Sequence, residues 1–327
     1  MKTYLLVNFG GPRNLEEIPA FLTSLLCDKD VVRTKFPQFF HNWFFGRIAR
    51  KRALKVSRDY EEIGGKSPIF EDTEWIAEAL SKRFGAPVLT FHRYLPETHA
   101  ESLRKIESTA GEIRVLPLFP QYCSATTGSI ARFFERHLKK ETVAKLRWIK
   151  SYAAHPAYIG AFQRRVADFL VQQKLSEEKT VLFFSAHGVP QSFIDQGDIY
   201  QTECQNSYRE ILNGFPNALG LLSYQSKFGK GEWLRPYTDE QCKTTLEWNL
   251  GRKEIVFVPL SFTSDHIETL FEIEKLYLPV IAAQGLTPRR CPALNREPYW
   301  IDALAEIAAE TETFQNKSLI PTLSIPK

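Results

Sequence analysis

Short runs of β-branched and aromatic residues recur along the chain, each closed by Gly, Pro or Ser and followed by a longer stretch with helical spacing of apolar positions. The runs at 4–9, 87–91, 113–118, 180–185, 218–223 and 254–260 are apolar on successive residues rather than on alternate ones, which predicts strands buried on both faces. Helices are predicted over 72–84, 125–138, 156–170, 200–212 and 239–250, and a last one over 298–309 opens on Pro298. Strands alternating with helices predict an α/β fold, in which a parallel sheet is covered by helices.

A weak internal repeat divides the pattern. Tyr4-Leu5-Leu6-Val7-Asn8-Phe9-Gly10-Gly11-Pro12 reads against Leu182-Phe183-Phe184-Ser185-Ala186-His187-Gly188-Val189-Pro190. Further on, Val115-Leu116-Pro117-Leu118-Phe119 reads against Phe257-Val258-Pro259-Leu260-Ser261. The repeat predicts two similar Rossmann-like domains, each a parallel sheet flanked by helices, over 1–150 and 151–297. A C-terminal helix over 298–311 follows, and the polar tail 312–327 is expected to fray. Ligands of such sheets bind beyond the carboxyl ends of the strands, so an active-site cleft is expected between the domains. In this register Phe9 is the counterpart of His187, facing it across that cleft.

Composition narrows the partners. A net charge of +4 over 327 residues suits an anionic small molecule or an acidic membrane surface and is too weak for nucleic acid. The five cysteines are scattered with no C-x-x-C, which argues against a disulfide framework and for a reducing compartment. The N-terminal apolar run is too short for a signal peptide, and no uncharged apolar stretch approaches the ~20 residues that span a bilayer. The expected location is the cytoplasm, with peripheral contact on the inner membrane face.

Candidate chemistry lies in two segments. His187 ends a predicted strand and precedes Gly188, where backbone comes close to something, and imidazole can accept a proton or bind a metal near neutral pH. No Gly-x-Ser-x-Gly elbow surrounds the neighbouring Ser185. In the second segment, Asp265, Glu268 and Glu272 are spaced i, i+3, i+7 and share one face if the segment is an α-helix. Carboxylates stacked this way repel one another unless a cation or protons are shared. His266 falls off the stripe and is placed to orient a neighbour. Alone, each segment has a plainer reading, a packed histidine and a helix capped by Ser264 or Asp265 with Glu268 in its first turn. Together they place a base and a carboxylate ladder at strand ends of one domain, with oxygen and imidazole ligands that suit divalent iron.

A third segment stands apart. Phe36, Phe39, Phe40, Trp43 and Phe44 follow helical spacing and run into Arg47, Arg50, Lys51 and Arg52. A stripe of this kind is more often core. Its aromatic density beside a basic cluster also fits an amphipathic element that contacts anionic membrane through 36–52.

The motifs Gly64-Gly65-Lys66-Ser67-Pro68-Ile69, Pro117-Leu118-Phe119-Pro120-Gln121-Tyr122, Ser185-Ala186-His187, Tyr224-Gln225-Ser226-Lys227 and the run Phe262-Thr263-Ser264-Asp265-His266-Ile267-Glu268-Thr269-Leu270 resemble those of ferrochelatases, in the same order and over about 4–307. The resemblance implies an enzyme, a lyase forming nitrogen–metal bonds, that inserts Fe²⁺ into a porphyrin, protoporphyrin IX first, to make haem and release two protons. Its alternatives are a coproporphyrin-specific ferrochelatase, a chelatase inserting another metal into another tetrapyrrole, and a non-catalytic porphyrin or haem carrier. It implies that His187 and Glu268 are the catalytic and metal-contacting pair, with Asp265, His266 and Glu272 as a proton or metal path behind them. Some relatives carry another acid where this chain has Leu276. Phe9, Arg52, Tyr60, Ser67, Arg93, Tyr200, Trp233 and Phe262 match positions that resemble porphyrin contacts. Of these, Phe9 has a ring that cannot ligate. The resemblance makes a lip of about 30–55. Iron enters as substrate, no prosthetic group is implied, and no [2Fe–2S] cluster is expected, because only Cys291 is late in the chain.

Overall fold

In the computed structural model, which describes residues 2–229 and 231–320, the continuous apolar runs become the central strands of two sheets. The first sheet holds β1 (Thr3–Asn8), β2 (Val88–His92), β3 (Ile113–Pro117), β4 (Leu146–Ile149) and, far along the chain, β9 (Thr313–Gln315). The second holds β5 (Thr180–His187), β6 (Leu219–Gln225), β7 (Glu254–Pro259) and β8 (Thr287–Arg290). The strand orders are β2-β1-β3-β4-β9 and β6-β5-β7-β8, parallel throughout except that β9 runs antiparallel to β4. Strands one to four and five to eight thus repeat one winding, and Phe9 and His187 take equivalent places at the carboxyl ends of β1 and β5. Each fold unit is a parallel sheet flanked by helices, as the repeat predicts.

Burial explains the strand sequences. Leu5, Leu6 and Val7 of β1 and residues 181–184 of β5 have no exposed surface, the condition of strands covered on both faces. In the first unit Leu5, Val7, Phe91, Val115, Phe134 and Trp148 share one core. In the second, Val181, Phe183, Ile255, Phe257, Ile273 and Tyr277 do so. Three short strands, β4, β8 and β9, lay outside the expected pattern. β4 is only four residues long, and β8 reads Thr-Pro-Arg-Arg, polar and Pro-containing as a sheet edge tolerates.

The division of the chain differs from the expected one at its end. The first unit runs to Tyr152 and takes the chain back from Leu304, while the second spans Ala153–Ala303, so the boundary falls inside the helix Pro298–Glu310. Residues 312–320 do not fray. β9 pairs with β4, Leu319 is fully buried, Trp148 Nε1 donates to Asn316 Oδ1 at 2.9 Å, and Tyr122 donates to the Leu319 carbonyl at 2.8 Å. Polar composition misled here because those polar groups are spent on the core's own donors and acceptors. Residues 321–327 of the expected tail lie outside the described residues.

Two expected helices are broken. The stretch 239–250 forms Thr238–Lys243 and Thr245–Trp248, and 125–138 opens as a π-turn, Ser124–Gly128, before the α-helix Ser129–His137. Phe39, Phe40, Trp43 and Phe44 of the aromatic stripe lie on the helix Gln38–Glu61, and Phe36 just precedes it. The helix's inward face is His41, Gly46, Ala49, Ala53 and Tyr60, mostly small, and the stripe residues point outward. Phe39 is 76% and Trp43 56% exposed, so the stripe is surface and not core.

Candidate active site

His187 is the last residue of β5 and the one residue of that strand that is not buried. Its backbone is fixed on both sides. The N–H donates to Ser261 Oγ at 2.9 Å, and the carbonyl accepts from the Tyr200 hydroxyl at 2.9 Å. The next residue must be glycine, because a Cβ on Gly188 would lie 2.8 Å from the Gln225 carbonyl oxygen. The Gly188 carbonyl sits 2.5 Å from His187 Nδ1, so Nδ1 carries the proton and donates. The other ring nitrogen, Nε2, faces Glu268 Oε1 at 3.7 Å.

Glu268 opens a ten-residue π-helix, Glu268–Tyr277, in which hydrogen bonds run i to i+5. Burial alone would raise its carboxyl, yet the charge interaction with His187, and after it His266, holds it below the ordinary glutamate value. Its Oε2 lies 3.5 Å from His266 Nε2. Glu268 Oε2, His266 Nδ1 and Ser264 Oγ are buried and find no hydrogen-bond partner among the described residues. An ionised carboxylate therefore stands between two imidazoles, with one oxygen that the fold leaves unsatisfied.

The expected stripe is only partly there. Glu268 and Glu272 share the π-helix, but Asp265 precedes it and turns elsewhere, because α-helical spacing does not apply to this segment. Asp265 accepts from Arg290 Nη1 at 2.7 Å, Thr269 Oγ1 at 2.8 Å and Asn295 Nδ2 at 2.8 Å. Glu272 accepts from the Ser226 N–H at 3.0 Å, Ser226 Oγ at 2.5 Å, Gln225 Nε2 at 3.1 Å and the Tyr277 hydroxyl at 2.5 Å. Burial first, then Glu272, pushes the Tyr277 phenol up, so it remains a donor. Both carboxylates are saturated by donors, and what they secure is the π-helix itself. Gln225 extends the same frame, its Nε2 also donating to the Glu268 carbonyl at 2.9 Å and its Oε1 accepting from Ser185 Oγ at 2.6 Å. Ser226 takes a left-handed φ of 65° to present its N–H and hydroxyl to the same carboxylate, a conformation kept where it has a use.

The remaining residues of the second unit sit around these. The Phe262 ring lies 4.5 Å from that of His266, and Trp233 bridges to Pro190 beside Gly188. Tyr200 is buried with its hydroxyl on His187, which makes it a support of the histidine. In the first unit Phe9 is packed edge-on to Tyr94 at 4.6 Å and Phe21 at 5.9 Å. Ser67 is buried against Gly11, where a Cβ would come within 2.5 Å of it. Tyr60 is buried at the end of its helix, and Arg52 is exposed on the same helix. Arg93 pairs with Asp28 at 2.7 Å, donates to Ser129 Oγ at 3.0 Å and lies 4.6 Å from the Phe133 ring centre. It lines a cavity of about 310 Å³ within this unit, with Asp28, Asp30, Arg132 and Phe133 among the other walls. Arg290, Asn295 and Ser261 went unnoticed in the sequence. Only Gln225 and Ser226 carried a signal, as part of the Tyr224–Lys227 motif.

Solved structures with the same fold include CbiX, the terminal enzyme of siroheme biosynthesis in denitrifying bacteria, and SirB from Bacillus subtilis with Fe³⁺. CbiX is 12% identical with a TM-score of 0.52, covering 95% of this chain and 100% of that one. SirB is 15% identical with a TM-score of 0.54, covering 95% of each. They define the class, two α/β units of the chelatase fold. The ferrochelatase family model matches residues 2–312. The ferrochelatase of Chlamydia abortus is 43% identical over 322 residues, 98% of this chain and 99% of that protein. That of Chlamydia trachomatis serovar A is 44% identical over 323 residues, 99% of both. The chain belongs to the ferrochelatase family, enzymes that insert a metal ion into a porphyrin to make haem.

Proposed function

We propose that this ferrochelatase inserts Fe²⁺ into protoporphyrin IX, with His187 and Glu268 as the reacting pair. The observation that carries the reading is Nε2 of His187 facing the ionised Glu268 carboxylate at 3.7 Å. Porphyrin plus Fe²⁺ gives haem and two protons, so acceptors are needed for two pyrrole N–H protons. Nε2 takes one or briefly ligates the iron, and Glu268 takes or passes on the other. Binding of the rest of the macrocycle supplies the distortion that tilts N–H bonds and lone pairs out of the ring plane. His266 is the next group behind Glu268. Asp265 and Glu272 serve as anchors of the helix rather than as links in a relay, since their oxygens are already occupied. Phe9, Arg52, Tyr60, Ser67, Arg93, Trp233 and Phe262 are assigned to the porphyrin, the Arg52 fork with Ser67 and Tyr60 suiting its propionates.

The enzyme works, in this reading, without an iron–sulfur cluster, in keeping with a Cys291 thiol that is buried and pushed up to about 12 by that burial. No helix among the described residues is long and apolar enough to cross a membrane. The exposed aromatic face of Gln38–Glu61, running into Arg47, Arg50 and Lys51, supports a cytoplasmic enzyme that touches anionic lipid and draws an apolar macrocycle from it.

The test is an anaerobic assay with Fe²⁺ and either protoporphyrin IX or coproporphyrin, following loss of metal-free porphyrin fluorescence. Many turnovers are expected, faster on protoporphyrin. Preference for coproporphyrin would move the enzyme to the other substrate, and a single stoichiometric event would mark a carrier.

A further inference from the structure

A π-helix is the costlier form of a segment that could run as an α-helix, so something outside its own backbone has to hold it. One cation does so from outside the helix. Arg290, the last residue of β8, is mostly covered, with its side chain 9% exposed. Its Nη1 donates to Asp265 Oδ1 at 2.7 Å and its Nε to Glu274 Oε1 at 2.8 Å. Asp265 in turn accepts from Thr269 in the first turn of the π-helix, while Glu274 lies in its last half. Asp265 lies in the coil before Glu268 and Glu274 within the π-helix after it, so one guanidinium ties the entry of the helix to its far half.

We propose that Arg290 is a positioning residue, a clamp from β8 across Asp265 and Glu274 that holds the segment in its widened form and so aims Glu268 at His187. The planar fork suits two separate carboxylates, which an ammonium on a flexible stem meets poorly. The proposal rests on the reading of Glu268 as the reacting carboxylate.

The test compares Arg290→Lys, Glu274→Gln, Glu268→Gln and the double variant Arg290→Lys with Glu268→Gln, all as full chains, with Fe²⁺ and protoporphyrin under anaerobic conditions. Arg290→Lys is expected to lower kcat about tenfold or more, as a small misplacement of a reacting group does, and to leave the porphyrin KM within about twofold. Glu274→Gln, on a half-exposed arm of the clamp, shows the same split more weakly and answers the question if Arg290→Lys does not fold. In the Glu268→Gln background the lysine costs nothing further, because the group it aims is gone. Equal losses in both backgrounds, a raised KM with unchanged kcat, or parent-like turnover of Arg290→Lys and Glu274→Gln overturns the clamp while leaving Glu268 in its role. Parent-like turnover of Glu268→Gln overturns both.

Discussion

The ring of His187 is oriented by one carbonyl. Because Gly188 O accepts from Nδ1, the other nitrogen, Nε2, is turned toward Glu268. His187 and Glu268 were singled out only through the order of the motifs around them, since each alone reads as well as a packed histidine or a first-turn glutamate. Asp265 was misread, since the i, i+3, i+7 rule presumes α-helical turns and the segment is π. Arg290 was invisible: nothing in a Thr-Pro-Arg-Arg stretch says that it is a strand, or that its last side chain is held between two acids. A second histidine yields a prediction. Burial pushes His99 down to about 4, against the raising effect of the His92 carbonyl it bonds. The unfolded chain binds that proton near the ordinary value of about 6.5, so between these values the unfolded state holds more protons. Stability is therefore full above about 6.5, falls as pH drops toward 4, and loses no more from this group below that. His99→Gln, which keeps a donor for the carbonyls, is expected to remove up to about 2 kcal/mol of the loss between pH 7 and pH 5. Urea midpoints at the two pH values measure it, and an unchanged difference in the variant contradicts the assignment.

Among the elements, the central strands were readable from continuous apolar runs, because burial on both faces leaves no other composition. Edge elements were not: β9 is three residues long and owes its place to Trp148, Tyr122 and Asn316, long-range partners that local patterning cannot register. The helix Gln38–Glu61 shows the same limit in reverse. Periodicity located its apolar stripe but not the side on which the protein lies, since the inward face is built of small residues. Five aromatic rings left outward, beside a basic run, argue for a lipid contact worth roughly 1.5–3 kcal/mol per buried ring. Phe39→Ser with Trp43→Ser is expected to cut sedimentation with phosphatidylglycerol vesicles tenfold or more. Parent protein that fails to sediment with those vesicles removes the lipid contact from the account.

At the scale of the whole molecule, one winding used twice carries different chemistry in each copy. Phe9, just past β1, is packed among Phe21 and Tyr94, and β5 ends in His187, whose Nε2 faces Glu268. The repeat was visible in the sequence because the strand-end turns, Phe-Gly-Gly-Pro and His-Gly-Val-Pro, answer to the same backbone demand in both units. The proposed proton and iron handling falls in the second unit, where Gln225, Ser226, Asp265, Glu272 and Arg290 all converge on the helix that starts at Glu268. The most direct test of this assignment is the turnover of Glu268→Gln with Fe²⁺ and protoporphyrin, measured beside its porphyrin affinity by fluorescence titration. The account predicts an affinity within about twofold of the parent and a turnover lower by a hundredfold or more, in the range set by loss of a positioned acid–base group. Parent-like turnover at unchanged affinity would contradict it.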